Sequence, residues 1–278
     1  MQPLLFPNES VPDDTGQIKT FTKDSVIEAL LEIRRLGWIP NSRPENPGGV
    51  GNTLEDLLGI EENNLPIADA GLWELKCQRA ETSALLTLFH MEPWPRALRF
   101  VPKILLPKYG WPHQKAGTRY PHGEMSFRQT IKGVSRSDRG FQVVVDRAAQ
   151  EVLVSFDHTA VAPKHAGWLA SVEKRVGLGE LDPQPYWRFD DLFSKAKIKL
   201  LNAFFVEAKV RKEEGVEFFQ YTRILVLEGL SLDKFILALE RGDLLVDFDA
   251  RTGHNHGTKF RLRRNKWPDL YNRVEEIT

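Results

Sequence analysis

Apolar residues recur along this chain with two different periods. In KDSVIEALLEIRRL, residues 23–36, Val26, Ile27, Leu30, Leu31, Ile33 and Leu36 fall at helical spacing, with Asp24 available as a cap and Gly37 marking the end. Residues 37–52 read as a Pro- and Gly-rich loop, and TLEDLLGI at 53–60 as a short helix capped by Thr53 or Asn52. Two-residue alternation appears at GLWELK (71–76). After a helical or irregular stretch it returns at 126–135, 140–148 and 150–158, the last two forming a hairpin around Ala148 to Gln150. Residues 190–201 read as a helix and 203–227 as two strands around a turn from Lys212 to Gly215. Ser231 caps a helix that ends at Gly242, and 243–250 and 258–264 finish as strands. The pattern predicts an α/β (α+β) protein with mixed strands and not a doubly wound one. Residues 1–22, rich in Pro, Asp and Thr, read as an irregular arm.

Composition narrows the class. Of 278 residues, 41% are hydrophobic and 27% charged, which excludes a disordered or fibrous chain. No apolar run is long enough to span a bilayer, so no membrane partner is expected. The N-terminus MQPLLFPNESVPDD lacks the basic start and apolar stretch of a signal peptide. The single cysteine, Cys77, excludes an internal disulfide and a cysteine-rich zinc site, and fits a cytoplasmic location. The formal net charge is zero, yet it is unevenly spread: −8 over residues 1–94, +8 over 95–147, −4 over 148–250 and +4 over 251–278. An acidic metal site paired with a basic surface for phosphates gives this pattern, as does a randomly patched solvated surface.

The chemistry concentrates in Asp69-Ala-Gly-Leu-Trp-Glu74-Leu-Lys76. On a strand, Glu74 and Lys76 point to the same face, and Asp69 can swing toward Glu74 across Ala70-Gly71. Two carboxylates close together call for a cation, and hard oxygen ligands, with the carbonyl of Leu75 as a further one, favour magnesium. Lys76 is then placed to orient a water near a phosphodiester. An E-x-K pair also occurs in many strands as an ordinary solvated ion pair. Glu55 on the preceding helix is either a further acidic group near the same site or an exposed helix residue.

With their surroundings these residues resemble a known family. Gly51-Asn-Thr-Leu-Glu55, Leu57 to Ile60, Glu62-Asn63-Asn64, Asp69, Glu74-Leu75-Lys76 and Arg79 are similar to the catalytic region of the MvaI/BcnI restriction endonucleases. These are MutH-like enzymes of the PD-(D/E)xK nuclease superfamily. Further matches are Leu88-Phe89 with Pro93, Lys195 with Lys199, Phe218 to Tyr221, Asp249 with Arg251, and His256 to Arg261, so that the likeness runs from about Val26 to Tyr271. Ala68 stands where the family's motif has Pro. The resemblance implies a restriction-endonuclease-like mixed sheet flanked by helices, in two lobes around a DNA cleft, with residues 23–160 mainly catalytic and 161–278 mainly recognition. The two lobes are open to interleaving along the chain. The resemblance implies a monomeric type II enzyme that cuts double-stranded DNA at a short pseudopalindromic site, one strand per binding event. Asp69, Glu74 and Leu75 would hold Mg2+, with Mn2+ able to substitute; Lys76 would serve the water, and Glu55 would be accessory. A companion DNA methyltransferase acting on the same site is expected beside such a nuclease. A strand-specific repair nickase and a DNA-binding protein without cleavage are the alternatives.

The tail DFDARTGHNHGTKFRLRR carries the candidate base readers. Lys259, Arg261 and Arg263 share one strand face; Arg and Lys donate to guanine O6 and N7, Asp249 can accept from a cytosine amine, and His256 can reach either edge of a base. This set suits a G·C-flanked site. By the resemblance, Asp249, Arg251, His254, His256, Lys259 and Arg261 lie in the base-reading segment. Without a cysteine or third histidine nearby, His254 and His256 do not make a zinc site. Trp94, Tyr109, Trp111 and Tyr120, set among the Lys and Arg of the first basic zone, fit either a DNA groove lining or ordinary core aromatics.

Overall fold

The first helix, α1 (Lys23–Arg35), starts from a reciprocal cap: Thr22 Oγ1 accepts from the Ser25 amide at 3.2 Å and Ser25 Oγ accepts from the Thr22 amide at 3.0 Å. The cap is therefore Thr22, not Asp24, which sits in the first turn where its charge complements the helix dipole. The structure, a computed structural model, describes residues 22–44, 46, 48–60, 73–80 and 84–278. The expected arm, apart from Thr22, and Asp69, expected as a metal ligand, lie outside the described residues.

After α1 come β1 (Ile39–Pro40), α2 (Gly49–Leu58), β2 (Glu74–Arg79), β3 (Leu86–His90), α3 (Leu106–Tyr109), β4 (Trp111–Pro112), β5 (Met125–Ile131), β6 (Arg139–Asp146) and β7 (Glu151–Val161). Then follow α4 (Ala166–Val176), β8 (Tyr186–Arg188), α5 (Phe189–Leu200), β9 (Asn202–Glu213), β10 (Val216–Leu230), α6 (Leu232–Glu240), β11 (Leu244–Arg251), β12 (His254–Leu262) and β13 (Tyr271–Ile277). The fold is mixed α+β, as expected from the strand pattern.

Two compact units divide the described chain, and they do not separate at residue 160. One unit combines residues 1–83, 197–230 and 271–278, and the other residues 84–196 and 231–270. The chain passes between the units four times because β9, β10 and β13 return to complete the sheet that carries β2. A boundary read along the sequence cannot express that pairing of distant strands.

In the first unit the sheet runs β1-β10-β9-β2, with β13 also paired to β10. β2 and β9 are parallel, in register Glu74 to Ala203 and Lys76 to Phe205, and the other pairs are antiparallel. Val26, Ala29, Leu30 and Ile33 of α1 and Val50, Leu54, Leu57 and Leu58 of α2 pack with Leu75, Phe204, Val206, Phe219 and Tyr221. Leu75 thus faces the helices, and the period of two turns Glu74 and Lys76 to the other face. α2 begins four residues before the expected start, within the glycine-rich run. Gly49 lets the Asn41 side chain approach to where a Cβ would stand 2.6 Å from Asn41 Nδ2, and the Tyr221 hydroxyl donates to the Val50 carbonyl at 2.9 Å. These tertiary contacts override the weak helix preference of Gly.

The second unit holds a sheet in the order β3-β12-β11-β5-β4 and a smaller one, β6-β7-β8. On the core face of the larger sheet Phe89 stacks with Phe260 and with Phe235 of α6, while Phe127 meets Phe248 edge-on. Gly140 requires glycine in the expected hairpin region: its φ is +78° and a Cβ would come 2.3 Å from the Asp157 carbonyl oxygen. No helix among the described residues is long and apolar enough to cross a membrane.

Candidate active site and DNA-reading face

β2 presents the expected pair. Lys76 Nζ donates to Glu74 Oε1, with the carboxylate 1% and the ammonium 22% exposed. A carboxylate so far from water requires a cation, and Lys76 provides one at its open end. The negative field of Glu74 also reaches Tyr271 at the start of β13; burial first, then that field, push the Tyr271 phenol up and keep it neutral. Glu55, on α2, raises the Cys77 thiol further after burial has done most of the work. Cys77, one residue after Lys76 and so on the opposite face, packs against the helix-side core and is no nucleophile. The structure therefore joins Glu74 to Lys76, sets Glu55 within electrostatic reach of β2, and leaves Asp69 outside the described residues. Among the described residues no three His, Cys, Asp or Glu side chains converge on one point. The donor set still fits a hard divalent ion, because Glu74 offers a dehydrated carboxylate beside the Leu75 carbonyl.

The expected base readers lie on the polar face of the large sheet in the second unit, and they are tied into an alternating network of charge. Asp249 Oδ1 accepts from Arg128 Nε at 2.9 Å, and its Oδ2 from Arg128 Nη2 at 3.1 Å and from Lys259 Nζ at 3.1 Å. Asp247 accepts from Thr130 Oγ1 at 2.8 Å and Arg261 Nη1 at 3.3 Å. Arg251 pairs with the buried Glu124 at 3.1 Å and stacks 4.8 Å over the Tyr120 ring. The sequence reading missed Arg128, Thr130, Asp247 and Glu124. Cross-strand register carries the signal for two of these contacts, since Asp249 stands opposite Arg128 and Asp247 opposite Thr130. That register is invisible until β5 is known to pair with β11.

His254 and His256 are exposed, their rings 4.2 Å apart. Their turn is fixed by Glu92, which accepts from the Thr258 amide at 2.9 Å and Asn255 Nδ2 at 3.3 Å, and by Gly257 at φ +83°. His90 stands opposite Lys259; burial and then the Lys259 ammonium hold its imidazole below the ordinary value.

Burial pushes the Asp249 carboxyl up, but hydrogen bonds and charge from Arg128 and Lys259 outweigh it, and the group titrates below its ordinary value of 3.8. Its contribution to stability is thus complete above about pH 4 and fades as pH falls through the lower folded value. Because Arg128 is largely exposed, the contribution is under about 1 kcal/mol. Urea midpoints for wild type and Asp249→Asn are expected to differ at pH 7 and to draw together as the pH falls below the ordinary carboxylate range; a constant gap would remove the linkage.

The sequence profile of the MvaI/BcnI restriction endonuclease family matches residues 27–271. The chain belongs to that family, and membership places it among DNA-cleaving hydrolases, which in type II systems generally use a divalent metal. The fold is similar to a solved complex of restriction endonuclease MvaI with cognate DNA: 24% identity over 93% of this chain and 100% of that one, TM-score 0.71. It is also similar to MvaI solved without DNA, at 23% identity over 94% and 100% of the chains, TM-score 0.56. No curated protein matches in sequence.

Proposed function

We propose that the chain is a magnesium-dependent type II restriction endonuclease that cuts double-stranded DNA within a short G·C-flanked pseudopalindrome, as a monomer and one strand per binding event. The observation that carries this is the buried Glu74 paired with Lys76 on β2, within a chain matched by the family almost end to end. Asp69, Glu74 and the Leu75 carbonyl would hold the cation, which when bound supplies charge neutralisation and a more acidic water. Lys76 orients the attacking water through its Nζ and offsets the charge that builds on the phosphate oxygens. Glu74 holds Lys76 at that position, and Glu55 is accessory. The second unit reads DNA from the sheet face that carries Asp249, Arg251, His254, His256, Lys259 and Arg261. A fold shared with a DNA-bound restriction endonuclease supports a duplex partner. A methyltransferase that protects the same site, and a cytoplasmic location, complete the reading.

Unmethylated phage DNA incubated with the protein and Mg2+ is expected to give discrete bands whose ends share one motif, and EDTA is expected to abolish them. Nicked circles alone would favour the repair nickase, and intact DNA that is still bound would favour a binding protein without cleavage. A linear fall of log affinity with log salt is expected in either case; its absence would argue against any DNA role.

A further inference from the structure

Arg128 is held by one edge and open at the other. Its Nε and Nη2 grip the two oxygens of Asp249, which leaves Nη1 and the outer hydrogen of Nη2 as a second, end-on fork. No other hydrogen bond reaches that fork among the described residues, and the side chain is 65% exposed while Asp249 is 14% exposed. Lys259 fixes Asp249 from the far side, so the carboxylate is braced by two cations and both its oxygens are engaged. We propose that Arg128 is a base-reading residue, and that Asp249 is its positioning residue, presenting the end-on fork to O6 and N7 of a guanine in the recognition site. This assignment rests on the reading of this sheet face as the one that meets bases.

Geometry and entropy both favour the assignment. A guanidinium offers paired, parallel N–H groups that match guanine's two major-groove acceptors, which an ammonium cannot do. An arginine already locked by a carboxylate loses less freedom on binding than one that waves in solvent. The role first expected for Asp249, accepting from a cytosine amine, would compete with the two cations that occupy its oxygens. Arg261 on the same face is the contrast: both its terminal nitrogens are spent on Asp247 and the Leu85 carbonyl.

The test compares wild type, Arg128→Ala and Arg128→Lys on the site found by end sequencing. Cleavage is measured on that site and on sites with each base pair replaced in turn, and with 7-deazaguanine at each guanine. Arg128→Ala is expected to lose about 10- to 100-fold of discrimination at one G·C pair and become indifferent to 7-deazaguanine there, with other positions unchanged. Arg128→Lys, which keeps the charge without the fork, is expected to lose it too. Unchanged discrimination at every pair would overturn the proposal. So would a uniform loss on all sequences with the salt slope reduced by about one, or full rescue by lysine, since each marks a phosphate contact. A wild type that cuts without sequence preference would overturn the restriction-enzyme reading as well, whereas a selective wild type matched by its variants overturns this proposal alone.

Discussion

Lys76→Ala is expected to slow DNA cleavage by about 100- to 1,000-fold, the size of effect seen when one group aimed at developing charge is removed. Binding to the same DNA should stay within a few-fold, because the role proposed for the Lys76 ammonium is at the reacting phosphate and not along the duplex. The substitution also has a cost in stability. Glu74 is wholly shielded from water, so deleting Lys76 takes away the cation that its carboxylate pairs with. For a fully buried pair that costs several kcal/mol; with Lys76 22% exposed, about 1 to 3 kcal/mol is the expected loss. The stability effect is isolated in the double variant Lys76→Ala/Glu74→Gln, where neutralising the Glu74 carboxylate should recover much of the urea midpoint. Cleavage is read in folded Lys76→Ala itself, because Glu74 is a proposed metal ligand and its loss abolishes cleavage on its own account. Cleavage at the wild-type rate by folded Lys76→Ala would remove the residue from the chemistry.

Local pattern carried more of this protein than topology did. The Glu74 and Lys76 pair was legible because a strand's period of two is enough to place i and i+2 together, and no distant partner is needed. Helix α6 was equally legible: Ser231 caps it at the Lys234 amide and Gly242 follows its end at φ +68°. The hairpin of β9 and β10 was marked by its Lys212 to Gly215 turn, where Glu214 and Gly215 take positive φ. What the sequence did not show depends on pairing between residues far apart in the chain. β3 and β13 are short, partly polar strands recognisable only by their neighbours β12 and β10. The glycines of α2 hid its first turn until Asn41 and Tyr221 gave a reason for them. The same limit applied to the reading face. Asp249, Lys259 and Arg261 stood out in one stretch of sequence, but Arg128 is 121 residues from the carboxylate that aims it. Asp69 owes its place in the site to the family resemblance and to its spacing from Glu74.

Arg261→Ala is expected to have the second large effect, and its signature differs from that of Arg128→Ala. Arg261 is 30% exposed, its Nη1 and Nη2 bind Asp247 and the Leu85 carbonyl, and it ties β12 to the sheet on both sides. Without it Asp247, 12% exposed, keeps the Thr130 hydroxyl and the more distant field of Arg128 but loses its ion pair, and the Leu85 carbonyl loses a charged donor. Removing one partner of a shielded charge pair costs more than the pair itself contributes, and about 2 to 3 kcal/mol of destabilisation follows once the residual exposure is allowed for. Loss of site choice by about 100-fold or more is expected alongside it, because Asp247 and Lys259 stand opposite each other and a shift there moves the whole polar face. Asp247→Asn in the same chain removes the stranded charge. It should restore the urea midpoint toward wild type while site choice stays lost, since the neutral amide cannot re-create the brace between strands. If Arg261→Ala lowers neither stability nor selectivity, the network is a surface ornament and Arg261 leaves the set of DNA-reading residues. If it lowers selectivity alone, Arg261 must release Asp247 on binding and turn to the DNA, and Arg261→Lys, which cannot hold Asp247 and Leu85 together, would then retain part of the preference.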